Sequence, residues 1–520
     1  MPLGLMSNHT PTTGQDSIEK VLLQAQESCK AEQWTAVIAA CKTAIVHSQQ
    51  CLKSKELEDG LGKDNLGLET QTADSSDGLS TDGLSTDGLS TDGLSIEQTT
   101  AALHQAKGDL FKSQGDLAAA IASYQQAIEI DPTAAEIKTA LGSAYITQAM
   151  LLQQAGDTAA ATRHYLQALT QLPRLFAAYS RLRYNLMRYD IPSGNLLLQE
   201  IALSCQSILQ KHPQILPAQI TLSYAQTKLG HLTEAINGYR SITGAPENAE
   251  RRAPDFIIVG AEKSGTTSLY QYMRSHPQFM PPVEKEIDFF DLEYSCGLDW
   301  YLSHFPPASG EIIQPPNRPK VDLDKTHWIT GETSANYLYS DVAPARIYEH
   351  FPYIKIVAIL RDPVNRTVSR YNMMVRNGAE KRSFSAAIAA EIAAIQQATA
   401  GDDIDWRVLN RCRHIGNSLY YYHLKRWLAC FPREQMLVLR SEDLFNNPQQ
   451  TMQQFYTLLG LNSSGSPQQY PRHNAGDYRP VDTDIRRQLT DFFAPHTQKL
   501  ETLLNQSFHW KSTTAAGTAR

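Results

Sequence analysis

At 520 residues the chain is too long for one core, and two or more domains are expected. The net charge of −7 is spread thinly, without a basic patch or tail, which argues against nucleic acid and against charge-driven membrane binding. No run of ~18 apolar residues suggests a membrane span. The opening Met-Pro-Leu-Gly-Leu-Met-Ser-Asn-His lacks the basic flank and apolar core of a signal peptide, so a cytoplasmic protein is expected.

Residues 1–16 read as a flexible N-terminus. From 17 to 51 the pattern is helical, with Trp34, Val37, Ile38, Cys41 and Ile45 on one stripe, which predicts a helix pair. Apolar periodicity is lost over 52–98, where Ser-Thr-Asp-Gly-Leu recurs in tandem with Asp-Gly at 77–78, 82–83, 87–88 and 92–93. So little apolar surface cannot offset the entropy of ordering, and the stretch reads as a disordered linker, with a short calcium-binding repeat as the alternative.

Helical periodicity then runs over 99–245. Gly108, Ala120, Tyr124, Ala127 and Pro132 have the spacing of a tetratricopeptide repeat, in which small residues let two helices approach while an aromatic fills the groove between them. Ala161, Tyr165, Ala168 and Pro173 repeat those offsets. The two prolines are 41 residues apart where the repeat has about 34, so the first helix of the second unit is expected to be about two turns longer. A third unit ends at Pro213, and a fourth carries Gly230, Ala235 and Tyr239. A non-repeating helical bundle is the competing reading. Either way the region is an all-helical interaction module whose surface suits a peptide or protein partner.

Prolines at 246 and 254 bracket a polar stretch that breaks the helical pattern, and the domain boundary is placed there. That placement implies that a fragment starting near Glu250 folds alone. Beyond it, strand-like apolar runs at 256–259, 354–360 and 436–439 are separated by long helical segments, which predicts an α/β domain over 255–512 with a mainly parallel sheet. The stretch from Gly416 through Trp427 reads as a core helix, and 513–520 as a flexible tail. Cysteines at 29, 41, 51, 205, 296, 412 and 430 have neither metal-ligand spacing nor the look of a disulfide framework, so free thiols and no metal are expected.

The first strand runs into Gly260-Ala-Glu-Lys263-Ser264-Gly265-Thr266-Thr267-Ser268. A strand, a glycine-bounded loop and a helix start aim backbone N–H groups and the positive end of a helix at one spot, as a multiply charged anion requires. In the nucleoside-triphosphatase loop lysine directly follows the second glycine, whereas Lys263 precedes Gly265 by two. The second run ends in Arg361-Asp-Pro-Val-Asn-Arg366-Thr-Val-Ser369, where Arg361 can grip a phosphate with two donors and Ser369 can add a hydroxyl. Between them lies Glu284-Lys-Glu286-Ile-Asp288-Phe-Phe-Asp291. There an acidic cluster meets two aromatics, and partial burial can raise the pKa of Glu286 towards that of a general base.

These stretches, with His276-Pro277 between them, resemble the sulfotransferases that use 3′-phosphoadenosine 5′-phosphosulfate, most closely the heparan sulfate group. The resemblance covers about the C-terminal half. It implies the phosphate-loop-like sulfotransferase fold, with the donor held by Lys263, Ser264, Gly265, Thr266, Thr267 and Ser268, and its 3′-phosphate by Arg361 and Ser369. It also implies Glu286 as the base, Lys263 as stabiliser of the leaving group, and Asp288 and Asp291 on the acceptor side, with Asp288 standing where heparan-type enzymes often have histidine. Gly331-Glu-Thr333-Ser334-Ala-Asn-Tyr337 resembles the N-sulfotransferase segment Gly-Glu-Lys-Ser-Ala-Asn-Tyr, with Thr333 in place of an active-site lysine. The family's cysteine-bounded loop is replaced by Tyr470-Pro-Arg472-His473-Asn474-Ala-Gly-Asp-Tyr478, where Arg472 and His473 are candidates to close over the nucleotide.

The expectation is therefore a multidomain protein, a helical repeat module followed by a sulfotransferase that acts on a hydroxyl or amine without metal. The acceptor stays open among sugar, lipid, small metabolite and carrier-bound acyl chain. A scaffold with a degenerate catalytic domain and a phosphate-loop kinase are the alternatives.

Overall fold

The computed structural model describes residues 96–188, 196–242, 249–309, 311–312, 321–322, 327–401, 403–462, 465–473 and 481–510. The helix pair expected over 17–51, the tandem Asp-Gly stretch, the tail and residues 474–478 lie outside them. The chain divides into two compact units, the first ending at Asn185 and the second running from Leu186 and including Gln154–Gly156.

The first unit stacks α1 (Ile96–Ser113), α2 (Leu117–Ile130), α3 (Ala135–Ala155), α4 (Thr158–Gln171) and most of α5 (Phe176–Arg188). Its packing follows from the small residues. A Cβ at Gly108 would lie 2.6 Å from the Tyr124 ring, so only glycine lets α1 accept that aromatic. Ala120, Tyr124 and Ala127 are buried, as are Ala161, Tyr165 and Ala168 one unit later. Asp116 and Asp157 cap α2 and α4 by accepting from Ala119 N and Ala160 N, each at 3.0 Å. Helix α3 has 21 residues against 14 in α2, which supplies the two extra turns expected between the prolines.

In the second unit, α6 (Leu196–Lys211), α7 (Leu216–Leu229) and α8 (Leu232–Ile242) precede four parallel strands. These are β1 (Phe256–Gly260), β2 (Gly331–Thr333), β3 (Lys355–Leu360) and β4 (Met436–Arg440), in the order β2-β1-β3-β4. Side chains alternate across the sheet. Phe256, Ile258, Val357, Ile359 and Leu439 pack with Leu269 and Met273 of α9 (Thr266–Arg274) and with Met452 and Phe455. Ile257, Val259, Ile356, Ala358 and Val438 pack on the opposite face with Ile347, Leu424 and Trp427. The three expected strands are present, and β2 is an addition: three residues are too few to show a periodicity. The 416–427 segment is a 3-10 turn, Gly416–Ser418, followed by the helix Tyr420–Cys430 with Trp427 fully buried.

The second unit begins well before the boundary expected at 246–254. Ile220, Ala235 and Tyr239 of α7 and α8 belong to the same buried cluster as β1 and β3. Polar contacts reinforce this packing. Tyr224 OH donates to Glu293 Oε1 at 2.9 Å, Lys228 pairs with the same carboxylate, and Trp300 Nε1 donates to Thr227 Oγ1 at 2.8 Å. These helices are part of the α/β unit because their apolar faces fit the segment around Trp300, which periodicity along the chain cannot reveal.

Candidate functional site

From β1 the chain crosses to β2 on one side and later to β3 on the other. The C-terminal end of β1 is thus a topological switch point, where open α/β sheets bind ligands. At that end β1 stops at Gly260, Lys263 adopts φ 70°, and Gly265 at φ 100° caps α9. A Cβ at Gly265 would approach the Phe445 ring to 3.1 Å in an already left-handed conformation, so the loop is closed there by glycine. The first-turn amides of Thr266 and Thr267 stand at the positive end of α9.

The two stretches expected to bind anions meet. Arg361, directly after β3, donates from Nη1 to the carbonyl of Lys263 at 3.2 Å, and its own carbonyl accepts from Tyr420 OH at 3.0 Å. Ser369 is on the helix Pro363–Arg376 that follows, capped by Asp362, and is only 1% exposed. Ser264 and Ser268 are fully buried, and Ser268 Oγ accepts from His473 N at 3.1 Å. That bond docks the 470–473 segment on α9, aided by Tyr272 OH donating to Pro471 O at 2.8 Å. Arg472 lies over the Phe445 ring, 4.4 Å from its centre, on the ring that also packs against Gly265.

The loop is braced from beneath by a buried ion cluster. Glu262 accepts from Arg366 Nη2 at 3.3 Å and from Arg370, and Arg366, fully buried, also donates to the Glu262 carbonyl at 3.2 Å. Truncating Glu262 to Ala leaves two buried guanidinium groups without their carboxylate. A loss of about 3–5 kcal/mol is expected, read as a lower unfolding midpoint. An unchanged midpoint would show that the cluster does not brace the loop.

Glu286 is joined to the loop through Lys285, whose Nζ lies 3.1 Å from Thr267 Oγ1 and 2.5 Å from Glu286 Oε1. Lys285 also receives Thr333 N on its carbonyl at 2.9 Å, so the amine beside Glu286 comes from 285, while Thr333 is a short, buried side chain. The expected burial of Glu286 is not found: its side chain is 46% exposed. Burial falls instead on its neighbours. Asp288 is enclosed and pushed well above the ordinary carboxylate range by desolvation and then by Asp291, Glu286 and Glu332. Desolvation raises Asp291 to about 7. Glu332, wholly buried at the middle residue of β2, is likewise raised by desolvation to about 7 while accepting from Ser334 Oγ at 2.6 Å and Tyr301 OH at 2.9 Å. Ser334 Oγ accepts from Asp288 N at 3.0 Å, so β2 holds the acidic turn in place.

Sequence reasoning singled out neither Lys285 nor Glu332 as a site residue. Lys285 reads as one charge in a charged run, and Glu332 becomes conspicuous only once Tyr301 and Tyr337 close over it. Among the described residues no group of three or more His, Cys, Asp or Glu is placed to hold a metal ion. No described helix is long and apolar enough to cross a membrane. An open depression of about 460 Å³ lined by Asp255, His327 and Lys355 lies at the opposite, N-terminal end of the strands and contains none of these residues.

Residues 253–477 match the family model described as a sulfotransferase domain, and residues 108–148 match one described as a TPR repeat. Among curated proteins, the chain is 25% identical to the membrane-associated sulfotransferase kil1 of Dictyostelium discoideum, over 50% of this chain and 67% of that protein. It is 28% identical to the human bifunctional heparan sulfate N-deacetylase/N-sulfotransferase 3, over 49% of this chain and 30% of that protein. The chain therefore spans about 30% of the length of this second relative. A solved sulfotransferase from Alicyclobacillus acidocaldarius is 28% identical with a TM-score of 0.39, covering 50% of this chain and 99% of that one.

Proposed function

We propose, since residues 253–477 match a sulfotransferase domain, that the protein transfers a sulfuryl group from 3′-phosphoadenosine 5′-phosphosulfate to an acceptor hydroxyl or amine. The observation that carries this is one line of contacts. Arg361 reaches the Lys263 carbonyl, the loop leads to Thr267, and Lys285 links the Thr267 hydroxyl to Glu286. An anion cradle and a solvent-accessible carboxylate thus share one end of the sheet.

In this reading the Thr266 and Thr267 amides and Lys263 take the 5′-phosphate and stabilise charge growing on the oxygen between phosphorus and sulfur. Arg361 and Ser369 take the 3′-phosphate. Glu286 removes the acceptor proton, with Lys285 orienting its carboxylate. Asp288 and Asp291 face the acceptor. Sulfuryl transfer resembles phosphoryl transfer in needing mainly in-line positioning and charge stabilisation. The TPR-like helices offer a surface for a protein or peptide partner.

Nucleotide binding tests the assignment. Losing a charge-assisted contact to the 3′-phosphate costs about 1.5–3 kcal/mol, or roughly one to two decades in affinity. Adenosine 3′,5′-bisphosphate is expected to bind without magnesium that much more tightly than adenosine 5′-phosphate, and Arg361→Ala to erase most of the difference. Equal calorimetric affinities for the two nucleotides, or tight magnesium-dependent ATP binding, would defeat the reading and favour a kinase.

A further inference from the structure

The backbone that carries Glu286 is tied down on both sides of that residue. Before it, the Lys285 carbonyl accepts from Thr333 N at 2.9 Å. After it, Asp288 N donates to Ser334 Oγ at 3.0 Å and Phe290 N to Tyr337 OH at 3.1 Å. Both hydroxyls direct their own hydrogen to one carboxylate, Ser334 to Glu332 Oε2 at 2.6 Å and Tyr337 to Glu332 Oε1 at 3.4 Å. Tyr301 OH donates to the same Oε1 at 2.9 Å, and the Ile287 backbone N–H also donates to this carboxylate. Glu332 is fully buried on β2, paired with Ile257 of β1. Burying a carboxylate among neutral donors is costly, and what this one accomplishes is orientation. A hydroxyl has one hydrogen. Once Glu332 accepts it, the lone pairs of Ser334 Oγ and Tyr337 OH face the amides of 288 and 290.

We propose that Glu332 is a positioning residue for Glu286, an acceptor hub in β2 that acts through Ser334 and Tyr337 on the backbone where Glu286 stands. This inference rests on the sulfotransferase reading above. The two oxygens of Glu332 fix which way two hydroxyls face, and these fix residues 288 and 290. Glu286 thereby keeps its direction although its own side chain is 46% exposed. In Glu332→Gln one oxygen becomes an NH2 group facing hydroxyls that are already donors. One hydroxyl has to turn, and the amide it served in the turn loses its acceptor.

Two measurements on the full-length protein test this whatever the acceptor. In hydrogen exchange read by mass spectrometry, the peptide spanning 285–293 is expected to exchange roughly ten- to a hundredfold faster in Glu332→Gln than in the wild type, as for a buried amide left without its acceptor, while peptides from β1 and β3 keep their rates. In single-turnover hydrolysis of labelled 3′-phosphoadenosine 5′-phosphosulfate, water stands in for the acceptor. Its oxygen bonds to sulfur, Glu286 takes its proton, and the S–O bond to the 5′-phosphate breaks with the electron pair leaving on adenosine 3′,5′-bisphosphate. Glu332→Gln is expected to slow sulfate release roughly ten- to a hundredfold with the affinity for the bisphosphate unchanged, and to slow it no further in a Glu286→Gln background. A merely structural residue would slow both backgrounds equally. Should Glu332→Gln not fold, Ser334→Ala and Tyr337→Phe, each removing one arm of the hub, replace it in both measurements. Unchanged exchange over 285–293, additive losses in the double variant, or equal sulfate release from the wild type and Glu286→Gln overturns the inference. Failure of the wild type to bind adenosine 3′,5′-bisphosphate overturns the sulfotransferase reading itself.

Discussion

Replacing Glu286 with Gln is expected to lower turnover by roughly 10²–10⁴, the usual contribution of a positioned general base, while the affinity for adenosine 3′,5′-bisphosphate stays nearly the same. The separation follows from geometry. Gln retains an oxygen able to accept from Lys285 Nζ, now 2.5 Å from Glu286 Oε1, so the link to Thr267 can persist without a basic carboxylate. The Arg361 contact to the Lys263 carbonyl lies on the other side of the loop and does not involve Glu286. Single-turnover kinetics with saturating donor would isolate the chemical step. A variant that keeps wild-type rates on its acceptor would remove Glu286 from the mechanism and leave Asp291 as the next carboxylate to examine.

The second large effect concerns where the α/β unit starts. A fragment beginning at Glu250 is expected to be insoluble or strongly destabilised, contrary to the boundary suggested by the prolines at 246 and 254, whereas a fragment beginning at Leu186 should fold. The shorter fragment loses α6, α7 and α8. It would uncover Trp300 and His304, both fully buried, which contact the Tyr239 ring at centroid distances of 6.0 and 3.9 Å. Exposing a large buried side chain costs about 1.5–3 kcal/mol. Glu293 would also lose Tyr224 and Lys228, and breaking a buried pair by removing one partner costs about 3–5 kcal/mol. Together these losses rival the roughly 5–15 kcal/mol by which whole domains are stable. Glu293 ends the π-helical turn Phe289–Glu293 that carries Asp291, so the damage would reach Asp291 first. Comparing the two fragments by thermal unfolding and nucleotide binding decides the matter. Equal midpoints would show that α6, α7 and α8 are dispensable.

The features legible in the sequence are those set by neighbours along the chain. A β-branched run ending at Gly260, Lys263 and Gly265 in a tight turn, and a helix opening at Thr266 are consequences of local sterics and hydrogen bonding. So are the small-residue offsets of the first unit, where Gly108 admits Tyr124 and the proline spacing foretells the length of α3. What is decided by packing between distant segments was not legible. Strand β2 has three residues and exists because β1 pairs with it from Phe256↔Gly331 to Ile258↔Thr333. The helices at 216–242 joined the α/β unit because of what they cover. Most important for the chemistry, the charged turn at 284–293 does not reveal which carboxylates will be buried. Tyr301 and Ser334, contributed from elsewhere in the chain, enclose Glu332 and hold Asp288 while leaving Glu286 open to solvent. Desolvation depends on every atom within several ångströms, whatever its place in the sequence, so the tertiary structure alone distributes burial among neighbouring acids.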